Sequence, residues 1–381
     1  MTSKNKILSL LLMLLPGTLF AQWIPDKLLS SPVLSENDSN KFVFSVDMTG
    51  FFKNNEYFSP VAKGGTLPGI HLLPKVAYQF DNRFRAELGA YNVYYSGDQQ
   101  KQGVYAFNSL FVRLQYALNP DFNLIFGNIY GGLNHRLIEP LYQWEHQFID
   151  KPESGLQLIY RNKRYSADVW VNWQRFIEHG DSVPEVLTFG TSASAKLTNP
   201  ENRFQLSIPF QLLIYHRGGQ IDTSDEPMVV MGNAVTGVCS EWKFEKSFIR
   251  SISLSTYLAG YYDKLPNREV RPFTNGWGIY PVFQVNTSLF SFMTGYWYAK
   301  NFYALEGEPL FGSFNPYDPQ QQMPTRKLIT AKFAYSQQIL KPLSIGAQVE
   351  TYTDLGSKST DYSFGVYLQF KGDFTLKTLQ K

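Results

Sequence analysis

The chain has 381 residues, a formal net charge of +3 and one cysteine, Cys239. The nearly balanced charge, without an acidic or basic tail, argues against a nucleic-acid partner, and a lone cysteine excludes an internal disulfide. Charged residues make up only 18% of the sequence and aromatic residues 16%, which favours a wall in contact with lipid over an ordinary soluble domain.

The N-terminus has the features of a secretory signal peptide, residues 1–21. Lys4 and Lys6 precede an apolar core from Ile7 to Leu15, and the small residue Ala21 marks the expected cleavage site. Because the two lysines are the only charges in this segment, the mature chain carries a formal net charge of +1. Residues 22–39 are predicted to form a periplasmic lead-in. No later window offers about 18 consecutive apolar residues, which excludes insertion of a membrane-spanning helix.

The segment from Pro184 to His216 predicts a β-hairpin with unusually long arms. Apolar and polar residues alternate from Leu187 to Leu197 and again from Phe204 to Tyr215, with the turn-forming sequence Asn199–Asn202 between them. Each arm has about a dozen residues, and a tilted membrane-crossing strand needs about 9 to 11. The hairpin therefore indicates an outer-membrane barrel.

The same alternation recurs along the chain and predicts about sixteen strands. The predicted strands are residues 40–52, 66–80, 83–97, 104–118, 122–133, 154–161, 164–176, 187–197, 204–215, 228–244, 249–263, 275–286, 289–303, 326–340, 343–354 and 361–371. Connections after even-numbered strands are short and those after odd-numbered strands are longer, as in barrels with short periplasmic turns and long extracellular loops. We predict an all-β, closed antiparallel transmembrane β-barrel over 40–371, followed by a periplasmic tail over 372–381.

From Asn40 to Lys371 the chain resembles the general porin class of bacterial outer-membrane proteins. The resemblance rests on strand pattern and topology, and on a last strand similar to the aromatic-rich closing strand of porins, with Tyr362, Phe364, Val366, Leu368 and Phe370 on one face. It implies an integral outer-membrane protein surrounded by lipid and lipopolysaccharide, with the barrel-assembly machinery as a partner. Porins of this size are often trimers, so the resemblance also implies a homotrimer. Porins usually end on the closing aromatic residue, whereas this chain continues.

Three prolines, Pro74, Pro209 and Pro281, fall inside predicted strands. A closed barrel has no free edge that accommodates a missing N–H group, so we expect either bulges at these positions or strand ends that differ by a few residues from the predicted ones.

One face of each predicted strand should line a polar lumen. Charged residues on that face serve either as solvated wall charges with local pairing or as a transverse field that orients solutes. The predicted pore-lining charges are Lys75, Arg85, Glu87, Arg113, Asp168, Lys196, Glu241, Lys332 and Glu350. Aromatic residues there either bind sugars or amphiphiles, fill a narrow lumen or belong to the interfacial girdle. The predicted lumen aromatics are Trp170, Tyr257, Tyr261, Tyr280, Tyr296, Tyr298, Tyr352 and Tyr367.

The segment 134–153 is the best candidate for a feature inside the barrel mouth. In porins the loop at this position folds inward and narrows the channel, and the resemblance implies that role here. Apolar residues at roughly helical spacing predict a short amphipathic helix packed against the wall: Leu137, Ile138, Leu141, Trp144 and Phe148. The residues then predicted to face the water path of this constriction loop are Arg136, Glu139, Glu145 and Asp150. The alternative is a loop that caps the rim and binds nothing.

All five histidines map to the outer half or the outer loops: His71, His135, His146, His179 and His216. No paired spacing or HExxH motif occurs, so we predict neither a metal site nor a cofactor. A lipid hydrolase needs Ser, His and an acidic or amide partner on the lipid-facing outer wall. No G-x-S-x-G motif is present, and His179, Asp181 and Ser182 lie together on one loop without forming a triad.

These patterns predict a passive or weakly selective channel for small hydrophilic solutes, with no enzymatic activity. Two alternatives stay open. One is an outer-membrane lipid hydrolase, either a phospholipase or a lipid A modifying barrel, and the other is a structural or assembly barrel plugged by its own loops.

Overall fold

Sixteen antiparallel strands close into a barrel in the computed structural model, which describes Leu29 and residues 34–97, 107–245 and 247–379. The barrel strands are β1 (Lys41–Glu56), β2 (Thr66–Gln79), β3 (Phe84–Tyr95), β4 (Phe107–Asn119), β5 (Phe122–Asn128), β6 (Ser154–Arg161), β7 (Tyr165–Arg175), β8 (Val186–Lys196), β9 (Phe204–Arg217), β10 (Val229–Lys243), β11 (Ile249–Asp263), β12 (Asn275–Thr287), β13 (Phe290–Lys300), β16 (Thr325–Leu340), β17 (Leu343–Asp354) and β18 (Ser359–Thr378). A small separate ribbon consists of β14 (Phe314–Asn315) and β15 (Asp318–Gln322). Each barrel strand pairs with its neighbours along the chain, and β1 pairs with β18. The predicted closed barrel is confirmed.

Among the described residues, helical structure occurs only outside the barrel strands. It comprises one short helix, α1 (His146–Ile149), and the 3-10 turns Glu36–Asp38, Gly132–His135 and Pro309–Phe311. In the described part of the chain no helix has the length and apolar character needed to cross a membrane.

The C-terminal end differs most from the prediction. β18 continues to Thr378, which pairs with Lys41 of β1, so the periplasmic tail predicted from residue 372 is wrong over the described residues. The physical reason is that the alternation continues, because Phe374 and Leu376 are as exposed on the outer face as the apolar residues before them.

Other boundaries shift by a few residues. β1 extends to Glu56, beyond the predicted end at 52, whereas β5 ends at Asn128 and β13 at Lys300, before the predicted ends at 133 and 303. The predicted signal peptide, most of the lead-in, the start of the fourth predicted strand at 104–106 and residues 380–381 lie outside the described residues.

The prolines do not cause bulges. Pro74 pairs with Val46, and the register of β1 and β2 runs past this pair without a shift. On the other side of β2, pairing with β3 is interrupted after Leu72 and resumes at Lys75 in the same register. Pro209 and Pro281 behave in the same way. The predicted bulges are wrong, because a missing N–H group removes ladder bonds on one side of the strand without adding a residue.

The two rims of the barrel differ in the length of their connections. At one rim, termed the short-turn rim, the connections are residues 80–83, 120–121, 162–164, 197–203, 244–248, 288–289 and 341–342. At the other, termed the long-loop rim, they are residues 57–65, 96–106, 129–153, 176–185, 218–228, 264–274, 301–324 and the short 355–358. Long loops on one rim are typical of the extracellular side of outer-membrane barrels.

The wall is apolar outside and packed inside. On the outer face Leu110 is 70% exposed and Phe126 is 62% exposed, as expected for side chains that meet acyl chains. On the inner face large aromatic residues lie over glycines of neighbouring strands. A Cβ atom at Gly278 would lie 2.2 Å from the ring of Trp297, and one at Gly190 would lie 2.0 Å from Trp170. These glycines allow indole rings to lie flat against the wall.

We expect Gly278→Ala to lower the free energy of unfolding by about 1–3 kcal/mol, because the added methyl group must displace the Trp297 ring. Urea unfolding of the refolded protein in lipid or detergent measures this change. Gly260→Ala is the matched control, since the nearest atom to its added Cβ is 3.9 Å away and the stability should change by less than about 0.5 kcal/mol. Equal losses in both variants would contradict the packing argument.

Candidate functional site

The nine charged residues predicted to line the pore all lie on the inner face, but most are buried and paired. Glu87 accepts from Lys75 at 3.0 Å and from Arg85 at 2.9 Å, and it lies 3.4 Å from Arg113. Asp168, Glu241, Lys332 and Glu350 are also buried, whereas Lys196 is partly exposed. The local pairing expected of these wall charges is present, but most of the groups are buried and not solvated.

Six of the eight predicted lumen aromatics lie on the inner face and are buried: Trp170, Tyr257, Tyr261, Tyr280, Tyr352 and Tyr367. Tyr296 and Tyr298 were assigned to the wrong face. Trp297 between them is the inward residue, fully buried and hydrogen-bonded to the Phe311 carbonyl at 3.1 Å. In the sequence Tyr-Trp-Tyr both faces of the strand are aromatic, so alternation alone could not choose between them.

The connection 129–153, termed the first lumen loop, folds into the barrel and contacts several walls. Gln211 of β9 accepts from the backbone N–H of Ile138 at 3.0 Å and donates to the Arg136 carbonyl at 3.0 Å. Near the other end of the loop the Phe148 ring stacks on Phe51 of β1, with ring centroids 4.4 Å apart. The loop thus spans the lumen between β9 and β1.

Five charged residues, termed the clamp cluster, fix this loop to the wall. Lys332 lies 2.5 Å from Glu139 and 2.6 Å from Glu350. Lys53 lies 3.0 Å from Glu145 and 3.1 Å from Glu350. The cluster comprises Lys53, Glu139, Glu145, Lys332 and Glu350, all buried. Two carboxylates come from the loop and the remaining groups from β1, β16 and β17, so the charges join the loop to the first strand and to two of the last three strands of the barrel.

The conformation of the first lumen loop corrects the predicted constriction. Glu139 and Glu145 are buried in ion pairs and do not face a water path, while Asp150 is exposed and Arg136 is partly buried. The predicted amphipathic helix does not form. Instead, a 3-10 turn is capped at its C-terminal end by Arg136, which adopts a left-handed conformation with φ of 59°, and the four-residue α1 follows later in the loop. The apolar residues that suggested a helix are buried because an irregular loop lies within the lumen.

A second loop, residues 301–324, also enters the lumen and was missed in the sequence. Arg326 donates to the Leu310 carbonyl at 2.7 Å, and Asn233 donates to the Tyr303 carbonyl at 2.7 Å. This second lumen loop contacts the first through backbone bonds, from Gln143 N–H to the Glu306 carbonyl at 2.7 Å and from Glu308 N–H to the Glu139 carbonyl at 3.1 Å. The signal in the sequence is the apolar content of a long connection, with Phe302, Leu310, Phe311 and Phe314 all buried.

Together the two loops fill the long-loop half of the lumen. Two cavities beside them have volumes of about 10 and 30 Å³, room for about one water molecule each. Towards the short-turn rim the inward residues are mainly small or polar, such as Ser207, Ser255 and Gln205. The described residues of the two loops therefore occupy part of the lumen near the long-loop rim.

His135 is held between two carboxylates inside the first lumen loop. Its Nδ1 lies 2.9 Å from Asp168 and its Nε2 lies 3.0 Å from Glu153, while its ring stacks on Trp170. Burial opposes the charged form of the imidazole, but the two carboxylates outweigh burial and raise the pKa of His135 to about 9. Both nitrogens therefore donate, and His135 is a structural cation without a free nitrogen for proton transfer.

The other histidines occupy separate places. His71 lies on the inner face between Phe51 and Tyr91, and His179 lies on the exposed connection after β7. His216 is on the outer face near the end of β9, with Nε2 2.9 Å from the Gly218 carbonyl. His146 lies at the mouth of the lumen, 2.7 Å from Asp150 and 3.7 Å from Glu306. None of the described histidines lies with a serine and a carboxylate on the lipid-facing wall, as a catalytic triad at that surface would require.

A hydrogen-bonded polar group, termed the rim cluster, lies on the outer wall where β1 and β2 reach the long-loop rim. Thr66 donates to the Asn54 side-chain oxygen at 2.5 Å, and the Asn54 amide donates to the Glu56 carboxylate at 2.8 Å. Asn54 is directly opposite Thr66 on the neighbouring strand. The outward residues around the cluster are apolar: Phe52, Phe58, Ile70, Tyr362 and Phe364. An acid, an amide and a hydroxyl thus meet on the outer wall at the long-loop rim. Sequence reasoning missed this cluster because it followed the inward face.

We expect Lys332→Met to lower the free energy of unfolding by about 3–5 kcal/mol, because it leaves two buried carboxylates without their shared cation. Trypsin should then cleave the first lumen loop at Arg136 or Lys151. Urea unfolding and mass spectrometry of the digest measure both effects. Lys327→Met is the control, because Lys327 lies in the same strand but is exposed on the outer face. It should leave the free energy of unfolding and the trypsin cleavage unchanged. A loop that stays protected in Lys332→Met would show that the clamp cluster does not hold it.

The environment of His135 predicts a dependence of stability on pH. Its folded-state pKa of about 9 exceeds the ordinary value of 6.5, so its contribution is complete below pH 6.5 and is lost as the pH rises through 9. A shift of this size corresponds to about 3 kcal/mol. Unfolding free energies of the native protein should fall over this range more than those of His135→Gln. Parallel curves for the two proteins would contradict this assignment.

Solved structures of outer-membrane porins share the fold of this barrel. It is similar to the outer membrane protein OprD from Pseudomonas aeruginosa, with 6% identity, a TM-score of 0.51 and coverage of 91% of this chain and 97% of that chain. It is also similar to OpdK from Pseudomonas aeruginosa, with 8% identity, a TM-score of 0.52 and coverage of 88% of this chain and 100% of that chain. A third similar structure is a BenF-like porin from Pseudomonas fluorescens Pf-5, with 7% identity, a TM-score of 0.51 and coverage of 88% of this chain and 100% of that chain. At these identities the likeness concerns the fold, and it confirms the porin-type barrel. No curated protein matches the sequence.

The sequence also matches a family profile described as lipid A 3′-O-deacylase-type over residues 34–379. This range includes all sixteen barrel strands. The expectation that the protein is not an enzyme is wrong, because the matched family is one of enzymes. The chain belongs to the lipid A 3′-O-deacylase-type family.

Proposed function

We propose that this protein is an outer-membrane hydrolase that removes an ester-linked acyl chain from an acylated glycolipid of the lipid A type. The observation that carries the proposal is the match of the deacylase-type family over the whole barrel. The packing of the lumen also supports it, since two loops and the clamp cluster occupy the half in which a porin would have its constriction. The porin-like neighbours support the barrel as a scaffold.

The rim cluster is the candidate catalytic centre. A membrane glycolipid keeps its acyl chains in the bilayer and its ester bonds near the headgroup, so a hydrolase must present its polar groups on the lipid-facing wall at that depth. Glu56, Asn54 and Thr66 meet this condition at the long-loop rim. Ionisable groups on such a wall are costly and usually functional. The apolar residues below the cluster, including Phe52 and Ile70, provide a surface for the acyl chain.

The residue types of the rim cluster suit hydrolysis by activated water. The Glu56 carboxylate accepts a proton from a water molecule as its oxygen attacks the ester carbonyl carbon. The Asn54 amide holds Glu56 with one N–H and offers its second N–H to the oxyanion that forms, while the Thr66 hydroxyl donates to the Asn54 oxygen and orients that amide. The bond from the carbonyl carbon to the sugar oxygen then breaks and the proton passes to that oxygen. The products are a free fatty acid and a glycolipid with one more hydroxyl group.

The clusters inside the barrel fit this role less well. Both nitrogens of His135 already contact carboxylates, and the clamp cluster is sealed beneath the lumen loops. His216 faces outward, but it lies on β9, far around the barrel from β1. The candidate centre therefore contains no histidine.

We expect Glu56→Gln to lower the rate of fatty acid release from purified lipid A in mixed micelles by about 10² to 10⁴-fold, because the general base is lost. Asn54→Leu should lower the rate by about 10² to 10³-fold through the lost oxyanion donor. Mass spectrometry of the products gives both rates and the position of the released chain.

Glu226→Gln provides the matched control. It makes the same chemical change at the same rim, on the connection before β10, where Glu226 pairs with Arg217 at 3.2 Å, and it should retain the native rate. Loss of activity in His216→Asn with full activity in Glu56→Gln would move the chemistry to β9. Stepwise conductance in planar bilayers without any lipid turnover would overturn the proposed function itself.

A further inference from the structure

We propose that His146, Asp150 and Glu306 form a binding site for a divalent transition-metal ion such as Zn²⁺ at the mouth of the lumen. The first lumen loop contributes His146 and Asp150 from α1 and its C-terminal end, and the second lumen loop contributes Glu306. One ligand-type atom from each residue lies within 4.8 Å of the other two. The site lies on the opposite side of the wall from the rim cluster and does not depend on the proposed hydrolysis.

The separation between His146 and Glu306 favours a bridging ion over a direct bond. The Nε2 of His146 is 3.7 Å from the Glu306 carboxylate, which exceeds the length of a hydrogen bond between these groups. Metal ligand distances of about 2.0–2.2 Å at a tetrahedral angle place nitrogen and oxygen about 3.4 Å apart. Small movements of two side chains therefore convert the present arrangement into a coordinated one.

The surrounding contacts orient the two groups. Asp150 lies 2.7 Å from Nδ1 of His146, the usual second partner of a metal-binding imidazole, and it directs Nε2 towards Glu306. Gln174 of β7 donates to one Glu306 oxygen at 3.2 Å, while the other oxygen faces His146. The Asp150 side chain is exposed, so its carboxylate is also free to rotate into the coordination sphere.

The chemistry of the ligands selects the class of ion. An imidazole nitrogen with carboxylate oxygens suits Zn²⁺ and neighbouring transition metals, whereas Ca²⁺ and Mg²⁺ prefer oxygen ligands alone. His146 and Glu306 are partly exposed, so an ion can reach the site from outside the cell and keep water as a further ligand. Because the ligands come from both lumen loops, a bound ion adds a cross-link between them.

Metal titration of the full-length protein tests this site. After treatment with a chelator, the refolded protein should bind one equivalent of Zn²⁺ by isothermal titration calorimetry, and Co²⁺ should produce the visible absorption of a site with nitrogen and oxygen ligands. His146→Asn and Glu306→Gln should each weaken binding at least about tenfold. His216→Asn is the control, since that histidine bonds to a backbone carbonyl, and its affinity should equal that of the native protein.

Several outcomes would overturn the metal site: no Zn²⁺ binding by the native protein, unchanged affinity in Glu306→Gln, or equal losses in the His216 control. Glu306→Gln retains a side-chain oxygen as the acceptor for Gln174, and heat-shift electrophoresis checks that each variant is folded before titration. Lipid turnover does not enter the measurement. Failure of the metal site and failure of the proposed hydrolysis are therefore separate results.

Discussion

The structure depends on one constraint, which is that a backbone in lipid must satisfy its own hydrogen-bonding groups. Sixteen strands do so only if the last pairs with the first, and β18 pairs with β1 from Lys41 to Glu56 without leaving an edge. Closure in turn fixes which side chains meet lipid and which meet the lumen. The outward residues are accordingly apolar, and ion pairs are concentrated inside.

Inside the barrel, the free-energy cost of removing charged side chains from water is offset by ion pairing. Lys53 and Lys332 are buried, which is costly for a cation unless carboxylates surround it. Glu350 contacts both lysines, and loop carboxylates complete the arrangement. The same charges that a porin displays along a water path here attach a loop. Two loops thus occupy part of the lumen of a porin-type scaffold, and the polar side chains of the rim cluster lie on the outer wall.

Much of the fold could be predicted from sequence because the bilayer imposes a simple period on every strand. The hairpin ending at His216 and the strand from Ile249 to Asp263 are found where alternation places them. Prediction was ambiguous where both faces carry the same residue type, as around Trp297, and where alternation continued past an assumed end, as in β18. The candidate sites were harder to find. Glu306 and His146 are far apart in sequence and meet only because two irregular loops fold into one lumen. In the rim cluster, a loop separates Glu56 from Thr66 in sequence, and the two residues come together through strand pairing.

The clamp cluster also constrains the order of events during biogenesis. The cation that pairs with Glu139 is Lys332 of β16, 193 residues later in the chain, and Glu350 of β17 completes the cluster by contacting both lysines. While the growing sheet still lacks these strands, the loop carboxylates have no cations at those positions. The loop can settle into its final place only when the C-terminal strands arrive, so sealing of the interior accompanies the last step of membrane assembly.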